Sequence, residues 1–200
     1  MPKFICALII FNFLFSVLPA QNISDLDAFE KAMKPGTMLT YDVDMSGKKY
    51  QFVATLNKLG DEIAFDWKMT DPINKTGTVA MSANAVAKAD ALLNNFSGCE
   101  SKLDKETSVF ISRKIFNDVS STSLASVKLN GASDTATTMS NTISEFNFNL
   151  NGNLVAVPGW ELQSGSDIKY TVDVLESFKF PLIFRIDLGW TIQLSEIKTP

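Results

Sequence analysis

The chemistry open to this 200-residue chain is limited by its residue types, because it contains no histidine. Neither a Ser-His-Asp nor a Cys-His nucleophile can form, and a His-ligated zinc site is excluded. Asp42 and Asp44 are two residues apart in an alternating run, which places both carboxylates on one face of a strand. They could bind calcium or act as a glycosidase pair, but the solvated face of a hairpin is the favoured interpretation. We expect no catalytic residue, no metal site and no cofactor.

Aromatic side chains are the second group with binding chemistry. Trp67, Trp160 and Trp190 are candidates for a platform on which sugar rings stack. Trp67 belongs to an apolar strand face, which favours core packing. Trp160 follows Pro158-Gly159 and is the better candidate for a surface aromatic.

Charge and cysteine usage narrow the partners. The chain has 18 basic and 22 acidic residues in mixed order, without a basic stripe. Nucleic acid and anionic membrane surfaces are therefore poor candidate partners. Cys99 is the only cysteine after residue 20, so an internal disulfide is excluded there and the fold must rest on its hydrophobic core. No nearby group indicates an activated thiol, and we expect an inert surface or half-buried cysteine.

The N-terminal residues 1–20 have the pattern of a cleavable signal peptide. Lys3 gives a short positive start, an apolar run follows, and Pro19-Ala20 forms a small-residue exit. The apolar run is shorter than a membrane-spanning helix needs. We therefore predict an exported chain, periplasmic or extracellular, that is soluble after cleavage and has no integral membrane segment.

The elements that position these side chains are mostly strands. Residues 21–35 predict an N-terminal helix, and residues 36–200 predict a single antiparallel β domain. Three alternating runs between Leu39 and Met69 indicate a meander with one buried face, and Asn151-Gly152 indicates a later hairpin. The fold class is mainly β: a single curved antiparallel sheet or open β-barrel of roughly ten strands, with two or three short helices.

Two further stretches of the chain carry specific expectations. Residues 108–111 predict a strand that precedes a helix capped by Ser112. Residues 132–142 are rich in serine and threonine and predict a mobile loop or an edge strand.

The buried face of the meander is the candidate ligand site. Tyr41, Phe52, Phe65 and Trp67 could line a hydrophobic cavity. A helix over residues 85–96, contributing Leu92, would be its lid. The alternative is that the helix seals a filled core, which is the more common arrangement because interiors pack without voids.

Two stretches resemble parts of uncharacterised secreted β-rich proteins of bacterial envelopes. Residues 36–43 (GTMLTYDV) resemble their opening strand, and residues 180–190 (FPLIFRIDLGW), continuing to Glu196-Ile197, resemble their closing pair. Such families are distantly similar to the half-barrel of lipoprotein carriers, which holds acyl chains under a helical lid. The resemblance implies a fold and an envelope setting, and it carries over no catalytic residue.

These observations lead to three hypotheses about function. The first is a non-enzymatic exported protein that binds an apolar or amphipathic ligand, such as a lipid or acyl chain, in a β half-barrel cavity. The second is a protein-interaction or adhesion module with a filled core and an envelope protein as partner. The third, a carboxylate-based hydrolase, requires a cleft with two acidic residues from different strands.

Overall fold

The computed structural model of the protein describes residues 22–96, 99–165 and 169–200. The predicted signal peptide lies outside the described residues. Within them, three helices and thirteen strands are formed. The helices are α1 (Asn22–Ala32), α2 (Ala83–Lys88) and α3 (Arg113–Thr122). The strands are β1 (Met38–Met45), β2 (Lys48–Lys58), β3 (Ile63–Met69), β4 (Thr76–Met81), β5 (Ala91–Leu92), β6 (Glu100–Leu103), β7 (Glu106–Thr107), β8 (Leu124–Lys128), β9 (Ala136–Leu150), β10 (Asn153–Ser164), β11 (Thr171–Leu175), β12 (Ile183–Asp187) and β13 (Thr191–Lys198).

All of these strands belong to one sheet, with the order β6-β4-β3-β2-β1-β13-β12-β11-β10-β9-β8-β5-β7. Most neighbours are antiparallel, whereas β4–β6, β5–β7, β5–β8 and β13–β9 are parallel. The β13–β9 contact pairs Glu196 with Asn149 and closes β9 to β13 into a ring of five strands that is not a regular barrel. The predicted fold class, mainly β with a single sheet and two or three short helices, is confirmed. The sheet has thirteen strands instead of about ten, and four of its contacts are parallel where an antiparallel sheet was expected.

The first three strands form the predicted meander. In β1, the buried residues Leu39, Tyr41 and Val43 alternate with Thr40, Asp42 and Asp44. Ser46 and Gly47 both have positive φ angles, 53° and 81°, so they form the two-residue turn that a tight hairpin requires. Alternation of apolar and polar residues with a period of two predicts a half-buried strand, and β1 has this alternating burial in the sheet.

Helix α1 is held against the sheet by polar contacts at several points. The Asp25 carboxylate accepts a hydrogen bond of 3.1 Å from the Ala156 amide of β10, and Glu30 accepts one of 2.6 Å from the Ser177 hydroxyl. After the helix ends at Ala32, the Thr37 hydroxyl donates to the Ala32 carbonyl oxygen at 2.7 Å. The helix therefore belongs to the body of the protein.

Two hydrophobic clusters fill the interior. The first lies between the meander, α1 and the β9–β10 hairpin, and Phe29, Phe52, Phe65 and Phe148 are at its centre. The second lies under α3 and includes Ile115, Trp160 and Leu162.

The helix predicted over residues 85–96 is wrong in its second half. Helix α2 begins after the Ser82 cap, whose hydroxyl accepts from the Ala85 amide, and ends at Lys88. The following backbone is used by other strands, because the Asp90 carbonyl accepts from Lys128 and the Leu93 amide donates to Thr107. Tertiary pairing therefore overrides a helical spacing of apolar residues.

Two strand predictions also need correction. Residues 108–111 do not form a strand: Val109 has a φ of 66°, and only an isolated bridge joins Phe110 to Leu182. Of residues 132–142, the first four lie in the turn before β9, whereas residues 136–142 belong to β9, which lies between β8 and β10 and is not an edge strand. The predicted Ser112 cap is confirmed, since its hydroxyl accepts from the Ile115 amide at the start of α3.

Candidate functional site

The residues predicted to line a cavity lie in the interior of the protein. Tyr41, Phe52, Phe65 and Trp67 share the first hydrophobic cluster and are almost completely buried. Leu92 lies in the second cluster, because it belongs to β5 and not to a lid helix. The structure therefore brings four of the five residues together.

These aromatic side chains contact one another directly. The Phe52 and Trp67 rings are stacked, with centroids 6.1 Å apart. Phe96 covers both, at 4.6 Å from Phe52 and 5.4 Å from Trp67. The space in which a ligand was predicted is thus occupied by Phe96, which comes from the irregular segment after β5.

A small apolar slot remains beside this cluster. Its volume is about 30 Å³, and its lining includes Tyr41, Phe52, Phe96, Val109 and Trp190. The Tyr41 hydroxyl donates to the Ile183 carbonyl at 2.9 Å, and burial raises the pKa of this phenol. A slot of this size holds about one water molecule.

A much larger groove of about 870 Å³ lies on the opposite side of the same strands. It follows one path of hydrogen-bonded strands, β2–β1–β13–β9–β10. The register places Gln51, Asp42 and Gln193 directly opposite one another on neighbouring strands, and therefore on one face. We call this the outer groove. Its lining residues are Asp42, Val43, Asp44, Lys49, Tyr50, Gln51, Thr70, Asp71, Asn147, Phe148, Asn149, Leu154, Thr191, Gln193, Leu194 and Ser195.

The three carboxylates of the outer groove have partners inside the protein. Asp42 accepts a hydrogen bond of 3.1 Å from the Gln51 amide. Asp44 accepts one of 3.2 Å from the Gly47 backbone amide, and the Lys49 ammonium lies 3.8 Å from it. Asp71 accepts from the Asn74 side chain. The carboxylates are therefore partly satisfied before any ligand arrives.

Three amide side chains of the outer groove differ from the carboxylates in this respect. Asn147, Asn149 and Gln193 form no side-chain hydrogen bond within the described residues. Each amide offers both donors and an acceptor to a ligand. In the sequence, Asn147 and Asn149 alternate with the apolar residues Phe146, Phe148 and Leu150, which indicates a strand with one polar face. This pattern does not predict that β9 pairs with β13.

The polar face continues beyond the outer groove across β12 and β11 to a second position on β10. Gln193 is paired with Arg185, Arg185 with Asp173, and Asp173 with Glu161. Together with Asp42 and Gln51 these residues form a cross-strand series over six strands. We call it the polar row, and its residues are Glu161, Asp173, Arg185, Gln193, Asp42 and Gln51.

Asp173 is the most unusual member of the polar row, because only 2% of it is exposed. Its Oδ1 atom has no hydrogen-bond partner. Burial, together with the charges of Glu161 and Asp187, raises the pKa of this carboxyl to about 7, although the nearby Arg185 guanidinium lowers it. Asp173 and Glu161 are two acidic residues on different strands, as the hydrolase hypothesis requires, but burial closes Asp173 to a substrate.

The other candidates are scattered over the molecule. Trp160 is buried against Phe116, with ring centroids 4.8 Å apart, so its predicted surface position is wrong. Trp67 is buried in the first hydrophobic cluster, Trp160 is buried in the second, and Trp190 lines the apolar slot, so the three form no exposed platform. Cys99 is exposed, as predicted. Asp42 and Asp44 both line the outer groove, but no group of three or more potential ligands among the described residues could hold a metal ion.

Comparison with protein-family models, with curated proteins and with solved structures gives no match for this chain. No helix in the part of the chain that the structure describes has the length and apolar character needed to cross a bilayer.

Proposed function

We propose that this protein is an exported, non-enzymatic interaction or adhesion module that binds its partner in the outer groove. One contrast carries the proposal. The aromatic face predicted to line an internal cavity leaves a slot of about 30 Å³, whereas the outer groove offers about 870 Å³. Pockets that bind small molecules have volumes of about 300–1,000 Å³, and the volume of the outer groove lies in that range.

Export is part of this proposal and rests on the sequence. The pattern of residues 1–20 and the resemblance of residues 36–43 and 180–190 to envelope proteins both support it. Cleavage after Ala20 would leave α1 whole, and α1 contributes Phe29 to the first hydrophobic cluster. The exported chain would thus keep every described element.

Site-specific photo-crosslinking in the source cells tests where the partner binds. A benzoylphenylalanine side chain would replace Gln193 or Asn149 in the outer groove. A third variant would carry it at Asn117, an exposed amide of α3 outside the groove, as the matched control. We expect adducts from the two groove positions and none from the control.

Two results would count against the outer groove as the binding surface. Equal labelling at Asn117 would mean that contact is unspecific. A complete lack of adducts at Gln193 and Asn149, with all variants exported and folded, would mean that the groove is empty in the cell.

A second candidate function is binding of an acyl chain, and two features in and beside the apolar slot support it: a strained backbone and an unpartnered polar hydrogen. Val109 lines the slot with a φ of 66°, which a β-branched residue rarely adopts, and such backbone strain often accompanies binding sites. The Trp67 Nε1 hydrogen in the adjoining aromatic cluster lacks a partner. If Phe96 moved outward, the slot would extend over the Phe52 and Trp67 rings that Phe96 now covers.

Uptake of a fluorescent fatty acid tests this candidate. Phe96→Ala should increase uptake, since it removes the ring that covers Phe52 and Trp67. Phe178→Ala removes an exposed ring elsewhere and should leave uptake unchanged. Native mass spectrometry after extraction from the source cells should then show a bound lipid. A clean apo mass together with no uptake by the Phe96 variant would end this hypothesis.

A further inference from the structure

The outer groove also indicates the chemistry of its ligand, and this inference rests on the function proposed above. We propose that the outer groove binds a neutral oligosaccharide, through amide hydrogen bonds to sugar hydroxyls.

The charges of the outer groove argue against ionic ligands. Asp42, Asp44 and Asp71 make its lining acidic, with Lys49 as the only cation among the lining residues. A polyanion would meet repulsion from these carboxylates. A cation would have to compete for carboxylates that already have partners. Asp42, Asp44 and Asp71 accept hydrogen bonds from Gln51, Gly47 and Asn74 respectively, and the Lys49 ammonium lies near Asp44. The groups without protein partners are neutral.

Those neutral groups match the hydrogen-bonding character of sugars. A sugar hydroxyl both donates and accepts, and so does the amide of Asn147, Asn149 or Gln193. A carboxylate beside an amide, as Asp42 lies opposite Gln193, adds a strong acceptor for a neighbouring hydroxyl. Adjacent strands are about 4.8 Å apart, close to the length of one hexopyranose unit, so successive strands can address successive sugars.

The apolar parts of the outer groove suit the C–H faces of a pyranose ring. Leu154, 73% exposed, lies on β10 at one side of the groove, and half-buried Tyr50 lies on β2 at the other. A ring packed on Leu154 or Tyr50 would gain contact area while its hydroxyls reach the amides.

Calorimetric titration with defined oligosaccharides tests the inference. The probes are cellohexaose and maltoheptaose, with a heparin-derived hexasaccharide as a polyanion of similar length. We expect one of the neutral probes to bind and the heparin fragment not to bind. The double change Asn149→Ala with Gln193→Ala should weaken binding at least about tenfold, since it removes two amides from the groove. Asn117→Ala removes an exposed amide elsewhere and should have no effect.

The possible results separate this inference from the proposed function. If neither neutral probe binds while Gln193 and Asn149 still give specific crosslinks in cells, the saccharide is overturned and the groove stays a protein-binding surface. If the heparin fragment binds instead, the argument from charge is wrong. If there is neither saccharide binding nor crosslinking, both proposals fail. Thermal unfolding of each variant checks that lost binding is not lost folding.

Discussion

The two ends of the polar row have similar residues and opposite surroundings. At the β10–β12 end, Asp173 is buried between Glu161 and Arg185, and one of its oxygens has no partner. At the β13–β2 end, Gln193, Asp42 and Gln51 are exposed in the outer groove. Both ends belong to one face of one sheet, so strand register alone does not distinguish them.

The difference shows that burial decides what a polar side chain does. A carboxyl group removed from water favours its neutral form. The buried end therefore makes the free energy of unfolding depend on pH. A carboxylate or amide in water loses little on folding and keeps its capacity for a ligand. We therefore expect the buried end to control stability and the open end to control binding.

The largest effect should come from the closest backbone approach at the buried end. Gly159 precedes Glu161 on β10, and a Cβ atom there would lie 2.3 Å from the Val174 carbonyl oxygen and 2.7 Å from the Phe146 ring. Gly159→Ala should destabilise the protein by more than about 4 kcal/mol or prevent folding, because backbone cannot move aside as a side chain can. Urea unfolding measures the loss.

Gly165 provides the control for that substitution. It directly follows the same strand, and nothing is within 4 Å of a Cβ placed there. Gly165→Ala should change the free energy of unfolding by less than about 1 kcal/mol. Similar losses at both glycines would show that close approach is not the cause.

The second prediction concerns the charge of Asp173. Its pKa is raised from 3.8 to about 7 in the folded protein by burial and by the charges of Glu161 and Asp187, against Arg185. Below pH 4 the carboxyl is protonated in both states. Between pH 4 and pH 7 the folded state holds more protons, so stability falls as the pH rises, and above pH 7 the penalty is complete. From pH 5 to pH 8 the loss should be on the order of 2–3 kcal/mol.

Asp173→Asn should remove most of that dependence, because an amide stays neutral at every pH of the experiment. The chain has no histidine, so no other side chain with an ordinary pKa titrates between pH 5 and pH 8. Denaturant unfolding at both pH values is the measurement. A parent protein equally stable at pH 5 and pH 8 would contradict the burial of an ionisable carboxyl.

A smaller effect is expected from Glu161, which lies opposite Asp173. Its charge is the second cause of the raised pKa, after burial. Glu161→Gln should lower the pKa of Asp173 and reduce the loss of stability between pH 5 and pH 8 by about 1 kcal/mol. Glu176→Gln, an exposed change just after β11, should not alter it. If both variants behave alike, the neighbouring charge has no role.

The sequence predicted the meander strands that carry Asp42 and Gln51, but not the burial of Asp173 at the other end of the polar row. Alternation in β1 and β2 was readable because one face of each strand carries mainly apolar residues. In β9 the serine- and threonine-rich first half carries little alternation, and its pairing with β8 and β10 comes from neighbours distant in sequence. The pattern of apolar and polar residues in one strand predicts that strand, but it does not predict which other parts of the chain bury it.

The candidate site shows the same division. The apolar residues Tyr41, Phe52, Phe65 and Trp67 were grouped correctly, because period-two spacing places each on one face. That Phe96 would fill the space above Phe52 could not be predicted, since the helix expected there ends at Lys88. The outer groove was missed because it depends on the parallel contact between β13 and β9, which are far apart in the chain.

The smallest effect on stability should come from the open end of the polar row. Gln193 forms no side-chain hydrogen bond within the described residues, so Gln193→Ala should change the free energy of unfolding by less than about 0.5 kcal/mol at pH 5 and at pH 8. Denaturant unfolding beside the Asp173 variant measures this. A loss comparable to that at the buried end would mean that Gln193 supports Arg185, its neighbour in register, and that the row acts as one structural unit. A negligible loss of stability would show that the two ends of the polar row have different roles, because the fold does not need the Gln193 side chain and its amide is available to a ligand.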